Sequence, residues 1–335
     1  LAALRIMQWA GAGRVAILGT GLSGHQLLDT LLNMQAMGLK AAQLAGQVRL
    51  ARGELRDVLA WAAAAGLGAA DLERIGLQGP ELHEALGHIK YIGLRGRALA
   101  AIGLWEGQLL RALRLIQHLE VPAVAITRVG LEGSLLLKAL DHMAALAIDG
   151  PVLDECVDLE GPRLLAALER MRALSWSRAV VEPLLLRGAE LEGALALAAD
   201  LGVNAEVMEA VIAPLAGEAL LEVLAICKSR NLTAGALERL GLTGSALGAA
   251  LKQLDALEVG LAECNGVLQI GTLAGAALQT ALDAWAATGL DLAAVKSMGV
   301  RGEALAATLE SMRAMRLDAA LFAEYLGGLA GAGLS

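Results

Sequence analysis

The sequence predicts an all-α fold, an αα-solenoid of right- or left-handed superhelix built from about eleven to twelve short repeats. Three observations predict it. A pattern close to Gly-Leu-x-Gly-x-x-Leu-x-x-Ala-Leu-x-x-Met-x-Ala-Leu-x-Leu-x-x-Ala-x-Leu-x-x-Leu, clearest at 299–326, returns about every 28 residues. Each copy has two places where glycine precedes an apolar residue. The composition is 56% hydrophobic but 2% aromatic, so the layers must be filled by Leu, Ala, Val and Met in close contact.

Residues 1–20 match the second half of a repeat. Full repeats begin near Gly21, Arg49, Gly76, Gly103, Gly130, Asp158, Leu185, Ala213, Gly241, Gly271 and Gly299, with length changes assigned to the joints around Arg49 and 260–266. Glycine just past a helix end, followed by an apolar residue, closes a helix by entering the left-handed region. Gly76-Leu77 and Gly103-Leu104 illustrate the first closure of a repeat, Gly93-Leu94 and Gly202-Val203 the second. Two closures mean two helices. Two residues beyond the second closure stand Asp149, Ser177, Asn204, Thr233, Asp291 and Asp318, whose side-chain oxygens suit a helix N-cap. Pro80 and Pro162 fit a first helical position. In the last repeat a long helix is expected over 303–315, with Leu305, Leu309, Met312 and Met315 on its apolar face, and a shorter one after Asp318. Neither would be stable alone, so each repeat must lean on the next.

No linker divides the array, which is read as one domain over 1–326 with a flexible glycine-rich tail at 327–335. The chain opens inside a repeat and without methionine. A processed or longer protein is expected, or a partner covering that apolar end. A charged or polar residue interrupts every apolar run before it could span a bilayer, so the chain reads as soluble. Net charge is −8, from 27 basic and 35 acidic side chains, which disfavours a broad phosphate-binding face. Cys156, Cys227 and Cys264 lie far apart and read as reduced, buried thiols, favouring a reducing compartment such as the cytoplasm or an organelle interior.

The string Leu-x-x-Met-x-x-Leu-x-Leu-x-x-Ala-x-Leu also resembles a leucine-rich repeat, which would place Leu-x-Leu in a strand. Glycine between the two leucines in about half the copies counts against that, as does the missing ladder asparagine.

Candidate chemistry dissolves into the repeat register. Gly19-x-Gly21-x-x-Gly24 follows an apolar Arg14–Leu18 run as a dinucleotide fingerprint would, yet no acidic residue or second strand follows near Lys40. Gly21, Leu22 and Gly24 are an ordinary repeat start, equal to Gly130, Leu131 and Gly133. His83 and His88 are five apart, the wrong spacing for two metal ligands on one helical face. Asp154 with Glu155, and Glu218 with Glu222, read as solvated helix faces. Trp176 and Trp285 replace apolar consensus positions and should fill the core. Neither a cofactor nor a metal is expected, and the chain is read as non-catalytic.

The third position of the repeat varies most: Ser23, Gln78, Glu132, Glu160, Arg187, Thr243 and Arg301. With Trp105, the aromatic best placed to anchor a partner, these residues form a candidate binding edge. One variable loop residue per repeat resembles, in layout only, the TAL-effector and mTERF-like nucleic-acid readers. By class the chain resembles the two-helix solenoids such as TPR and HEAT arrays. It lacks the TPR Trp-Leu-Gly-Tyr set, and its repeat is shorter than a HEAT unit. That resemblance implies a scaffold whose concave face binds a protein or fixes it in a larger assembly. Modular nucleic-acid binding is the alternative.

Overall fold

The structure, a computed structural model, describes residues 2–13, 17, 19–44, 48–50 and 52–321. Among these the fold is an all-α solenoid, in which consecutive helices pack on one another in series. The chain forms two compact units, 1–169 and 170–335. The tail 327–335, the end of the last repeat, and Arg14, Val15, Ala16 and Leu18 lie outside the described residues.

In the first unit Ala2–Ala10, Gly24–Met37, Arg52–Ala64, Gly79–Ile92, Glu106–His118 and Gly133–Leu146 are the long helices, each packed on the next. In the second unit Gly188–Leu201, Gly217–Ser229, Gly244–Ala256, Gly275–Thr288 and Gly302–Ala314 repeat the arrangement. Between them run short helices, such as Ala69–Ile75, Gly96–Ile102, Ala123–Val129 and Ala234–Leu240. Leu305, Leu309 and Met312 are buried as the spacing predicts. Met315 is not: the helix ends at Ala314, which leaves Met315 in the turn and 62% exposed. Trp176 and Trp285 are fully buried, and their indole N–H groups donate to the carbonyls of Val203 at 3.2 Å and Leu290 at 2.8 Å. A buried indole needs such a partner.

No strand occurs among the described residues; Ile270 and Leu273 share only an isolated bridge. The leucine-rich-repeat alternative fails for a local reason. The residue between its two leucines is the left-handed closure of the long helix, as at Gly38 (φ 69°) and Ala147 (φ 56°). A strand cannot pass through that conformation.

The fourth residue of the repeat, usually glycine, had no role in the sequence pattern. It proves to be a second left-handed position. The third residue is extended, and the fourth opens the long helix at a φ near +55°, as at Gly133 (56°) and Gly275 (57°). Pro80 and Pro162 therefore stand second in their helices, where a ring-fixed φ is tolerated. Glu106 takes the glycine's place at φ 52°.

The caps are only partly as expected. Asp149, Asn204, Asp291 and Asp318 accept from the N–H three residues on, at 2.7–3.0 Å. Ser177 and Thr233 occupy the same extended position but make no such bond. Where the N-cap lacks an acceptor, the third helical residue reaches back instead: Asp71 to Gly68 N–H and Glu263 to Gly260 N–H.

Length changes are absorbed within the short helices rather than only at the joints. Long helices starting at 79, 106 and 133 are separated by plain α-helical segments. Longer repeats widen into one π turn, over Leu153–Val157, Met208–Ile212 and Cys264–Leu268. The repeat start placed at Gly271 is corrected to Gln269, the left-handed closure at φ 52°, followed by an extra turn. Ala213 does not take the left-handed form, having φ −61°.

Successive repeats are joined through backbone. The first N–H of a short helix donates to a carbonyl at the end of the long helix one repeat earlier: Gly96 to Ala65 (3.1 Å), Gly150 to Leu119 (2.8 Å) and Leu261 to Arg230 (3.2 Å). Each bond satisfies two helix-end groups that would otherwise lack partners. Among the described residues no single helix is long and apolar enough to cross a membrane. Ala205–Ile212 and Gly217–Ser229 reach that length only together, across a 107° bend.

Candidate functional site

Ser23, Gln78, Glu132, Arg187, Thr243 and Arg301 stand at the extended entry to a long helix, as does Trp105, and Glu160 directly precedes the long helix Gly161–Leu174. In the first unit Ser23, Gln78, Glu132 and Glu160 are exposed there, and in the second Arg187, Thr243 and Arg301. No hydrogen bond or ion pair joins one of them to another among the described residues. The edge exists, but its side chains do not converge. Glu160 faces Arg128 at 3.9 Å, and Arg128 also pairs with Asp154. Trp105 is half-buried rather than free, with the Arg74 guanidinium 4.5 Å from its ring centre.

The long helices carry a feature that sequence reasoning missed, an ion-pair ladder between neighbouring repeats. The sixth residue of one long helix meets the ninth of the next: Glu84 with Arg114 (2.7 Å), Arg111 with Asp141 (2.6 Å), Lys138 with Glu169 (2.5 Å) and Glu222 with Lys252 (2.7 Å). Either sign occurs at each position, but within every pair the two charges are opposite. Glu222, read as part of a solvated face, is exposed and engaged in this ladder, and Asp154, partly exposed, pairs with Arg128 between short helices. The signal was present in the sequence as opposite charges in two fixed columns of the repeat. Arg114, with His88 second to it, draws the Glu84 carboxyl down to about 2. Lys138 lowers Glu169, and Lys296 with backbone N–H groups lowers Glu263.

The short helices offer recesses instead. In the second unit Val180, Leu184, Met208 and Leu215 line a small apolar recess of about 140 Å³ between consecutive short helices. Two larger ones follow, a shallow one of about 440 Å³ with a mainly apolar floor beside Arg230, Asn231 and Asn265, and one of mixed lining, about 380 Å³, beside Lys296 and Arg301. Ala262 and Glu263 line both. Of the eight edge residues Arg301 alone lines one of these recesses.

The fingerprint-like glycines behave as repeat glycines. Gly21 (φ 65°) closes one helix and Gly24 (φ 56°) opens the next. The cavity nearby, about 270 Å³, is walled chiefly by apolar groups including Leu27, Leu31 and Met34, which offer a pyrophosphate nothing. His83 lies against Trp61, ring centres 5.1 Å apart, while His88 bonds to Gln117 and Glu84. Among the described residues no three His, Cys, Asp or Glu side chains gather as a metal site. Cys227 and Cys264 are buried, and burial pushes their thiols up to about 12 and about 11. Cys156 departs from expectation, being only half-buried. Comparison with protein-family models and with characterised proteins finds no significant match.

Proposed function

We propose that this chain is a non-catalytic two-helix repeat scaffold of the TPR and HEAT kind in class, and that it binds a protein partner along its short helices. The observation that carries the reading is the contrast between the two helix rows. Opposed charges engage one another at four contacts between successive long helices. The short helices, although Arg128 with Asp154 and Lys296 with Glu263 also pair there, carry recesses of about 140 to 440 Å³ in the second unit. A partner binding over the ladder would have to desolvate charges already paired. One binding in the recesses meets the apolar wall at Val180 and Met208 and, further on, the uncommitted side chains of Asn231, Asn265 and Arg301.

The alternative, reading of nucleic acid by one edge residue per repeat, has Glu132 and Glu160 against it, since both are exposed where phosphate would pass. Affinity capture from the source cell, in salt from about 50 to about 500 mM, separates the two. The scaffold reading expects a protein held in fixed ratio across much of that range. Capture of nucleic acid alone, lost steeply as salt rises, would replace it.

A further inference from the structure

The two larger recesses of the second unit are neighbours, and most of their charged lining is already engaged. Arg230 is held by Asp255 through its carboxylate (2.8 Å) and its carbonyl (2.8 Å). Glu263 accepts from Lys296 at 3.1 Å and from Gly260 N–H at 3.2 Å. Three groups are left over. Asn231, Asn265 and Arg301 are exposed, line these recesses, and make no side-chain hydrogen bond or ion pair among the described residues.

The choice of residue types is informative. The whole sequence has four asparagines, Asn33, Asn204, Asn231 and Asn265. Asn204 caps a helix. Asn231 and Asn265 line one recess from successive repeats. A carboxamide presents two donors and one acceptor, which matches the alternating N–H and C=O of an extended peptide and no single side chain in particular. Counting Arg230, Lys296 and Arg301 against Asp255 and Glu263 leaves one positive charge here, on a chain of net charge −8.

We propose that this surface binds an extended acidic segment of a protein partner. The Asn231 and Asn265 carboxamides hold its backbone, and Arg301 receives one of its carboxylates. The proposal rests on the scaffold reading and adds to it the chemistry of the partner. Nucleic acid fits less well, because its affinity is built from many cations contacting phosphates and only Arg301 is uncommitted here.

The test is fluorescence anisotropy with a labelled peptide of alternating Glu and Ala, its Gln-Ala counterpart, and oligothymidylate, at low salt. Wild type should prefer Glu-Ala over Gln-Ala by about tenfold, the value of one charge-assisted bond. Arg301→Ala should abolish that preference. Asn231→Ala with Asn265→Ala should weaken both peptides by about fivefold to tenfold. Arg97→Ala, an exposed cation of the first unit that lines neither recess, should change nothing. All these sites are exposed, and unchanged far-UV dichroism and melting would show intact folds. Absence of Glu-Ala binding, indifference to Arg301→Ala or to the asparagine pair, or tighter binding of oligothymidylate would each overturn the proposal. Capture of the cellular partner by the triple variant keeps the two readings apart. If capture persists while peptide binding was never seen, the acidic-segment proposal fails and the scaffold stands.

Discussion

Gly241 and Gly275 face each other across a repeat boundary so closely that a Cβ on either would press on its neighbour. A Cβ on Gly241 would lie 3.1 Å from the Gly275 nitrogen and 3.2 Å from the Ala274 Cβ; one on Gly275 would lie 3.3 Å from the Gly241 carbonyl oxygen. Both are left-handed, at φ 63° and 57°. Gly103 and Gly133 repeat the contact in the first unit. Gly241→Ala therefore meets two costs, the left-handed strain of about 1 kcal/mol and an overpacking cost of about 1–3 kcal/mol. Gly289→Ala has the same φ, 64°, but open space around it, and should lose only about 1 kcal/mol. Urea unfolding of both variants measures the difference, which belongs to the contact between repeats.

Leu185 provides the converse. It closes a short helix at φ 55° while 76% exposed, so its side chain has little packing to lose. Leu185→Gly should stabilise by about 0.5–1 kcal/mol, after allowing for the extra freedom glycine gives the unfolded chain. Thermal melting should move upward; a fall would mean that Leu185 packs better than its exposure indicates.

These two positions mark how far the sequence could be read. Helix number, long and short alternation and the core positions Leu305, Leu309 and Met312 follow from spacing, because burial on one face imposes period. The glycine at position four is visible in the pattern, but its reasons are a left-handed entry to the long helix and, at Gly244, Gly275 and Gly302, a close contact with a residue about one repeat away. The ladder is likewise legible only when the repeats are aligned in columns, as Glu84 beside Arg114 shows. The recess at Asn231 and Asn265 was not legible, since four scattered asparagines carry no period and only stacking brings two of them together.

The ladder predicts a modest acid sensitivity. Glu84 has a folded pKa lowered to about 2 from 4.5, so its contribution is present above about 4.5 and is lost as pH falls toward 2. Its side chain is 41% exposed, so solvent screening limits the effect to at most about 1 kcal/mol. Glu84→Gln should flatten that part of the stability–pH curve, and a double-mutant cycle with Arg114→Ala should return a coupling of about 0.2–1 kcal/mol.

Thiol labelling tests the burial pattern. With thiols pushed up to about 12 and about 11, Cys227 and Cys264 should resist iodoacetamide in the folded chain at pH 8. Cys156, half-buried, should label first. Equal rates at all three sites would contradict the packing described.

Photo-crosslinking from two exposed alanines asks most directly which row of helices meets the partner. Ala262 borders both of the larger recesses, and Ala249 takes the ladder's sixth position on its long helix. With benzoylphenylalanine at each site in the source cell, Ala262 should trap a protein and Ala249 should not. Trapping from Ala249 with silence at Ala262 would contradict the assignment of binding to the short helices.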